Sequence, residues 1–366
     1  MIYLDNSATT LPAPEVIKEI VNCTAGYPGN PSSRHLLGLE AEKKLEDCRK
    51  KVAKALGADP KAIYFTAGGT ESDNIALMGG ANIKKGRRIV TTAVEHPAVL
   101  ECAKRLDEQG FEVIRLAPGR DGVVPLSAIR EAITPDTCLV SIMAVNNETG
   151  AIMPVDKIKP ILSKVAPRAL LHVDAVQALG HIPLNLTKLG ADMVSFSSHK
   201  IHGPRGIGAL YIKKGTTIKT PSLGGGQEQG IRSGTENLAG IAGFAAAVNM
   251  LDPADREKTA ALRDRLRDGL LNIPETVQNG GGAPHILNIS FKSIRSEVML
   301  NAFSQRKIYV SSGSACAGGA PSHVLKAMGA ELADNAVRFS LSRYTTEDEI
   351  DRTILAANEI VKELRR

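Results

Sequence analysis

Short apolar runs without a polar face recur along the first two thirds of this chain and alternate with stretches of helical spacing. Residues 62–66, 88–92, 111–116 and 138–143 read as strands, followed by 170–174, 192–197 and 207–212. Strands that lack in–out alternation are buried on both faces, as in parallel sheets. Helices fit between them, one from about Thr70 and one begun by Pro97. Upstream, Pro12 and Pro14 precede a short helix over residues 15–21. Ser32-Ser33 opens a longer helix, in which Leu45, Cys48, Val52 and Leu56 keep three-to-four spacing until Gly57 stops it. The alternation predicts an α/β fold around a mostly parallel sheet.

The pattern changes near residue 250. A small-residue helix over 236–250 meets the break Asp252-Pro253, and a charged helix follows over about 255–271. After Gly280-Gly281-Gly282, residues 286–291 and 336–341 read as strands of a second, smaller α+β domain, with the boundary at the proline break. A chain of 366 residues is long for a single core, which agrees with this division.

Composition narrows the function. The net charge of +6 comes with Lys/Arg runs that have no interleaved aromatics, so it reads as a solvated basic surface rather than a nucleic-acid site. Five scattered cysteines without a CxxC pair argue against a disulfide framework and against zinc. No basic-then-apolar leader and no window of 18 apolar residues is present, so the expectation is a cytoplasmic protein with no membrane partner.

The chemistry concentrates at strand ends. Asp174 follows one apolar strand and Lys200 another, on the sheet edge where α/β proteins bind ligands. A lysine amine that forms a Schiff base, and a carboxylate for a pyridine nitrogen, are what pyridoxal phosphate requires. Taken singly, Lys200 is a solvated lysine and Asp174 a helix cap; the two together, with Ser197, Ser198 and His199 alongside, favour the cofactor. Phe65-Thr66-Ala67-Gly68-Gly69-Thr70 runs from strand through glycines into a helix, a cradle for a phosphate. His96, past another strand, is placed to stack on a ring and move protons or, blandly, to cap a helix. Asn147 is placed to bond a ring oxygen or a substrate carboxylate, and Arg338 to hold a carboxylate with its fork. Cys316 lies among Ser, Gly and Ala in an expected exposed loop, whereas the other four cysteines sit in core patterns.

These pieces resemble the cysteine desulfurases of the NifS/IscS kind, a class V aminotransferase branch of the fold-type I pyridoxal phosphate enzymes. The likeness runs through Tyr3-Leu4-Asp5-Asn6-Ser7-Ala8-Thr9-Thr10, Gly29-Asn30-Pro31-Ser32-Ser33, Thr70-Glu71-Ser72-Asp73-Asn74, Ser198-His199-Lys200, Arg232-Ser233-Gly234-Thr235, Gly313-Ser314-Ala315-Cys316 and Arg338-Phe339-Ser340. It implies a large domain over 12–251 with a mostly parallel seven-stranded sheet, and a small domain over 252–366 on which residues 1–11 pack.

By the resemblance, Lys200 carries the Schiff base and moves the substrate α-proton. Asp174 holds the pyridine nitrogen, Gln177 the ring oxygen, and His96 stacks on the ring. Gly69, Thr70, Ser197 and His199 take the phosphate, with Thr235 reaching it from the other subunit of a homodimer. Asn147 and Arg338 position L-cysteine, and Cys316 takes the sulfur as a persulfide for a protein acceptor. Only Ala317–Ala320 separate Cys316 from Pro321, a shorter segment than is usual in the branch that serves iron–sulfur scaffolds. An acceptor in tRNA thiolation or cofactor maturation is therefore as well matched. The alternatives are a selenocysteine lyase, a kynureninase, an aminotransferase, or a non-catalytic sulfur relay.

Overall fold

The computed structural model describes residues 1–82, 86–312 and 322–365. Its strands, in chain order, are Ile2–Tyr3 (β1), Ile63–Thr66 (β2), Arg88–Thr92 (β3), Glu112–Leu116 (β4), Thr137–Met143 (β5), Leu170–Asp174 (β6), Met193–Ser197 (β7) and Gly208–Ile212 (β8). Thr276–Gln278 (β9), Ile286–Phe291 (β10), Ile308–Tyr309 (β11) and Ala336–Ser340 (β12) complete them.

Seven strands form the central sheet in the order β2-β8-β7-β6-β5-β3-β4. All are parallel except β8, which runs antiparallel to both β2 and β7. The apolar run of β8 looks like its parallel neighbours, but the connection decides its direction. Residues 198–207 contain only a short 3₁₀ turn, and a parallel crossover needs a dozen or more residues, usually with a helix. Strands β5, β6 and β7 are buried along their whole lengths, which explains their unbroken apolar sequence.

The long helix is Leu36–Leu56, three residues later than Ser33. Asn30 holds a turn first, its side chain accepting from Ser32 N and its carbonyl from Ser33 N. The Ser33 carbonyl then packs where a Cβ on Gly38 would lie only 2.1 Å away, so residue 38 must be glycine. His35 caps this helix, and Gly57 in the left-handed region ends it.

The largest hydrophobic core lies about the central sheet. Another gathers Ile2, Leu4, Phe291, Phe303 and Phe339, with the last two rings edge to face at 5.7 Å. Around it, β9, β10 and β12 make an antiparallel sheet, and β1 pairs in parallel with β11. The first residues of the chain thus join this second core. They then cross to the central sheet, where Thr10 N and Thr10 Oγ1 donate to the His199 carbonyl at 3.0 and 2.9 Å. The helix Glu347–Leu364 closes the second core behind a capping box made by Thr346 and Glu349. Among the described residues, no helix is long and apolar enough to cross a membrane.

Candidate active site

A cavity of about 390 Å³ opens beyond the carboxyl ends of β5, β6 and β7. It brings together Lys200, Asp174, His96, Asn147, Gln177 and Arg338, with Gly69, Thr70, Ser197 and His199 on one wall. Every candidate named from the sequence lines it except Thr235 and Cys316. Thr235 is exposed and borders a separate small cavity with Thr66, Gly206 and Arg232. Cys316 lies outside the described residues.

Lys200 sits in the 3₁₀ turn directly after β7. Its Nζ donates to the Ser7 carbonyl at 2.5 Å and to the Ala8 carbonyl at 2.8 Å. The amine is therefore fixed by the N-terminal segment rather than left in solvent. Asp174 ends β6, and its Oδ1 accepts from Val176 N at 2.9 Å. Burial raises its carboxyl to about 6, against the opposing pull of the Val176 amide and Lys200. Asp73, on the helix Gly69–Ala81, is buried nearby and pushed well above its ordinary value by burial and by the Asp174 charge. Behind them His172 bridges Ser141 and Ser195 at 2.8 and 2.9 Å, and burial lowers it to about 3. A neutral histidine and a strained pair of carboxylates thus back the cavity, an arrangement that favours a cationic partner in front of Asp174.

His96 does both things expected of it as alternatives. Its Nδ1 accepts from Ala98 N at 3.2 Å, capping the helix Pro97–Glu108, while the ring lines the cavity. The cap uses the lone pair, so the proton rests on Nε2. Burial, with the Lys200 charge, lowers this imidazole to about 4 and keeps it neutral.

Gly69 begins its helix where the chain passes Val176. A Cβ there would lie 2.5 Å from the Val176 side chain, so only glycine lets the two backbones approach. Ser197 Oγ and Ser7 Oγ are buried without a partner among the described residues. His199 Nδ1 lies 3.1 Å from Thr9 Oγ1, and burial lowers the ring to about 4. A free hydroxyl beside a helix start, as Ser197 lies beside Gly69, suits an anion.

Arg338, on β12, is buried and reaches across to the central sheet. Its Nη1 donates to the Asn147 carbonyl and its Nη2 to Asp5 Oδ1, both at 2.8 Å, and its Nε has no partner among the described residues. The Arg338–Asp5 ion pair is therefore buried on its arginine side. Asn147 stands at the cavity wall, tied to the same guanidinium through its backbone.

Four further polar residues line the cavity that the chemical motifs did not single out: Ser7, Asp73, Glu148 and His323. Glu148 accepts from Ser322 Oγ at 2.5 Å and is raised by burial. His323 Nε2 faces the Glu95 carbonyl at 3.0 Å. Ser7 and Asp73 lay inside motifs already marked. Nothing in the local sequence marked Glu148 or His323.

Pyridoxal phosphate fits these residues: a held lysine amine, a buried carboxylate, and unpaired hydroxyls beside a glycine cradle. Fold and site together define a pyridoxal phosphate-dependent transferase of fold type I. The chain belongs to the aminotransferase class-V family, which matches residues 2–353. It is 43% identical to the cysteine desulfurase IscS of Serratia proteamaculans, over 100% of this chain and 93% of that protein. It is 44% identical to a cysteine desulfurase of Trichormus azollae, over 100% and 94% of the two chains. A solved NifS-like protein superposes with a TM-score of 0.93 at 41% identity, covering 99% of this chain and 100% of its own. An apo cysteine desulfurase from Thermococcus onnurineus gives 0.90 at 29% identity, covering 99% and 95%.

Proposed function

We propose that this protein takes sulfur from L-cysteine, releases L-alanine, and holds the sulfur as a persulfide on Cys316 for a protein acceptor. The observation that carries this reading is the placement of Lys200, Asp174 and Arg338 on one cavity, in a chain related over its full length to cysteine desulfurases. When bound, pyridoxal phosphate supplies an aldehyde for amines and a ring that draws electron density from the substrate α-carbon.

The residues then divide the work. Lys200 Nζ, released from the Ser7 and Ala8 carbonyls, is the amine that holds the cofactor and later takes the proton from the α-carbon. Asp174 faces the pyridine nitrogen as its counter-charge, neutral His96 covers the ring, and the Gln177 amide meets the ring oxygen. Gly69, Thr70, Ser197 and His199 take the phosphate. Cys316 Sγ attacks the substrate sulfur; the carbon–sulfur bond breaks as the new sulfur–sulfur bond forms, and the thiol proton is retained in the products. The sum is cysteine plus thiol giving alanine plus persulfide.

Arg338 holds the substrate carboxylate, with Asn147 beside it. Asp5 already occupies one arm of the fork, which keeps the guanidinium aimed before substrate arrives. Replacing Arg338 with Ala is expected to raise KM for cysteine about 10- to 100-fold with a smaller effect on kcat, since a hydrogen bond to a charged group contributes roughly 1.5–3 kcal/mol. Steady-state kinetics check this. A KM equal to the wild type would remove Arg338 from substrate binding.

The same reading makes the working unit a homodimer in which Thr235 reaches the phosphate of the partner subunit. Two features support it: Thr235 is exposed and away from its own cavity, and Ile17, Val21, Leu36 and Leu39 lie exposed on neighbouring segments. We take residues 12–251 and 252–366 as two domains, with 1–11 on the second, and the cytoplasm as the location.

Purified protein supplied with pyridoxal phosphate and offered cysteine, selenocysteine, kynurenine, or alanine with a keto acid tests the activity. Alanine and, with a reductant, sulfide are expected from cysteine. Transamination or kynurenine cleavage without sulfide would assign the chain to a different reaction on this fold.

A further inference from the structure

Two histidines outside the reaction scheme stack face to face just behind the cavity. The His181 and His285 rings lie 3.6 Å apart at 11°. His181 comes from the segment after β6, and His285 from the residue before β10, so the stack joins the two halves of the chain. His285 is buried and His181 partly so.

Their hydrogen bonds fix their protons. His181 Nε2 faces the Lys200 carbonyl at 3.2 Å, and a carbonyl only accepts, so Nε2 carries the hydrogen. His285 Nε2 lies 3.3 Å from Gln177 Oε1, and Gln177 Nε2 donates to the Ser7 carbonyl at 2.9 Å. The amide oxygen therefore accepts from His285, whose Nδ1 is buried and has no partner among the described residues. Burial depresses both rings, His181 to about 4, and the positive charges of Lys200, Arg338, Arg263 and Arg256 around them act in the same direction. Both rings are neutral donors.

We propose that the His181–His285 stack is a positioning element that fixes which end of the Gln177 amide faces the cofactor. The proposal rests on the pyridoxal phosphate reading of the site. Gln177 is one carbon–carbon rotation away from exchanging its oxygen and nitrogen. In the flipped state its NH₂ would oppose His285 Nε2–H, donor against donor, and its carbonyl would face an anionic ring oxygen. His285 opposes that state together with the Ser7 carbonyl that receives the Gln177 amide, and His181 holds His285 in plane while anchoring to the Lys200 peptide. A loop of contacts results, from the Lys200 carbonyl through the two rings and Gln177 to Ser7, whose carbonyl receives Lys200 Nζ.

The test is the pH midpoint of the visible band, ~420 nm, of cofactor-loaded enzyme. His285→Phe keeps a ring for the stack and loses the donor. With only the Ser7 carbonyl left to orient the amide, the flipped state is populated, the hydrogen bond to the ring oxygen weakens and the bound system holds its proton more tightly, so the midpoint is expected to rise by about half a unit. His285→Gln restores an N–H donor and should return the midpoint to the wild-type value. In a Gln177→Leu background, His285→Phe should add nothing further. An unchanged midpoint in His285→Phe, an equal shift in His285→Gln, or additive shifts in the double variant would overturn the proposal. A wild-type protein that forms no such band would instead overturn the reading of the site itself.

Discussion

Replacing Lys200 with Ala is expected to abolish the ~420 nm band in protein saturated with pyridoxal phosphate and to lower sulfide release from cysteine by about 10³- to 10⁴-fold. Two functions leave with one amine: the covalent hold on the cofactor and the group that moves the α-proton. The control is Lys200→Arg. In the native chain, Nζ donates to the Ser7 and Ala8 carbonyls; Ser7 keeps the Gln177 amide as a donor, so alanine leaves the half-buried Ala8 carbonyl without its partner, at a cost of roughly 1 kcal/mol. Alanine therefore loses stability as well as chemistry. Arginine can still donate to both carbonyls, yet forms no Schiff base under these conditions. If the effect is chemical, the two variants share the lost band and the lost activity, and differ in thermal unfolding. A borohydride-trappable band in Lys200→Arg would place the cofactor on another lysine.

The chemistry at the sheet edge was legible because it is local. Asp174 and Lys200 each follow an apolar run that ends where the sheet ends, and the Gly68-Gly69-Thr70 turn carries its own backbone argument. Contacts made by distant segments were not legible. Ser7 and Ala8 receive Lys200 only because β1 pairs with β11 and the chain then crosses to His199. The Arg338–Asp5 pair spans nearly the whole sequence, and Glu148 from a turn and His323 from the start of the helix His323–Ala327 reach the cavity without a chemical motif. The direction of β8 was set by the brevity of residues 198–207, not by the strand's own composition. The last helix was legible too: Thr346 and Glu349 have the sequence spacing of a capping box, and the helix Glu347–Leu364 follows it. For His96, capping and lining the cavity had been set against each other, whereas one nitrogen serves each role.

Replacing Cys316 with Ala is expected to leave the visible band intact and to reduce sulfide release to background, about 10³-fold or more below wild type, because no other described thiol is fit to replace it. Cys23, Cys48, Cys102 and Cys138 are all buried. Burial pushes Cys48 and Cys138 up to about 11 and Cys102 to about 12, and raises Cys23 as well. At neutral pH a thiol at 11 is ionised in roughly one molecule in 10⁴, whereas an unperturbed one near ~8.5 is ionised to a few per cent. His96 is poorly suited to take the thiol proton, since Ala98 N–H occupies its lone pair and burial holds the ring near 4. The amine of the incoming cysteine is the base we expect instead. The rate should then follow the ionisation of that amine, and His96→Gln, which can keep a donor at the ring, should shift the pH profile little. Labelled sulfur from cysteine should appear on the wild-type protein and be lost with thiol reagents, and the Cys316→Ala protein should carry none. Sulfide release near the wild-type rate in Cys316→Ala would mean that the sulfur leaves the substrate without an enzyme persulfide, and the chain would then be a lyase rather than a sulfur carrier.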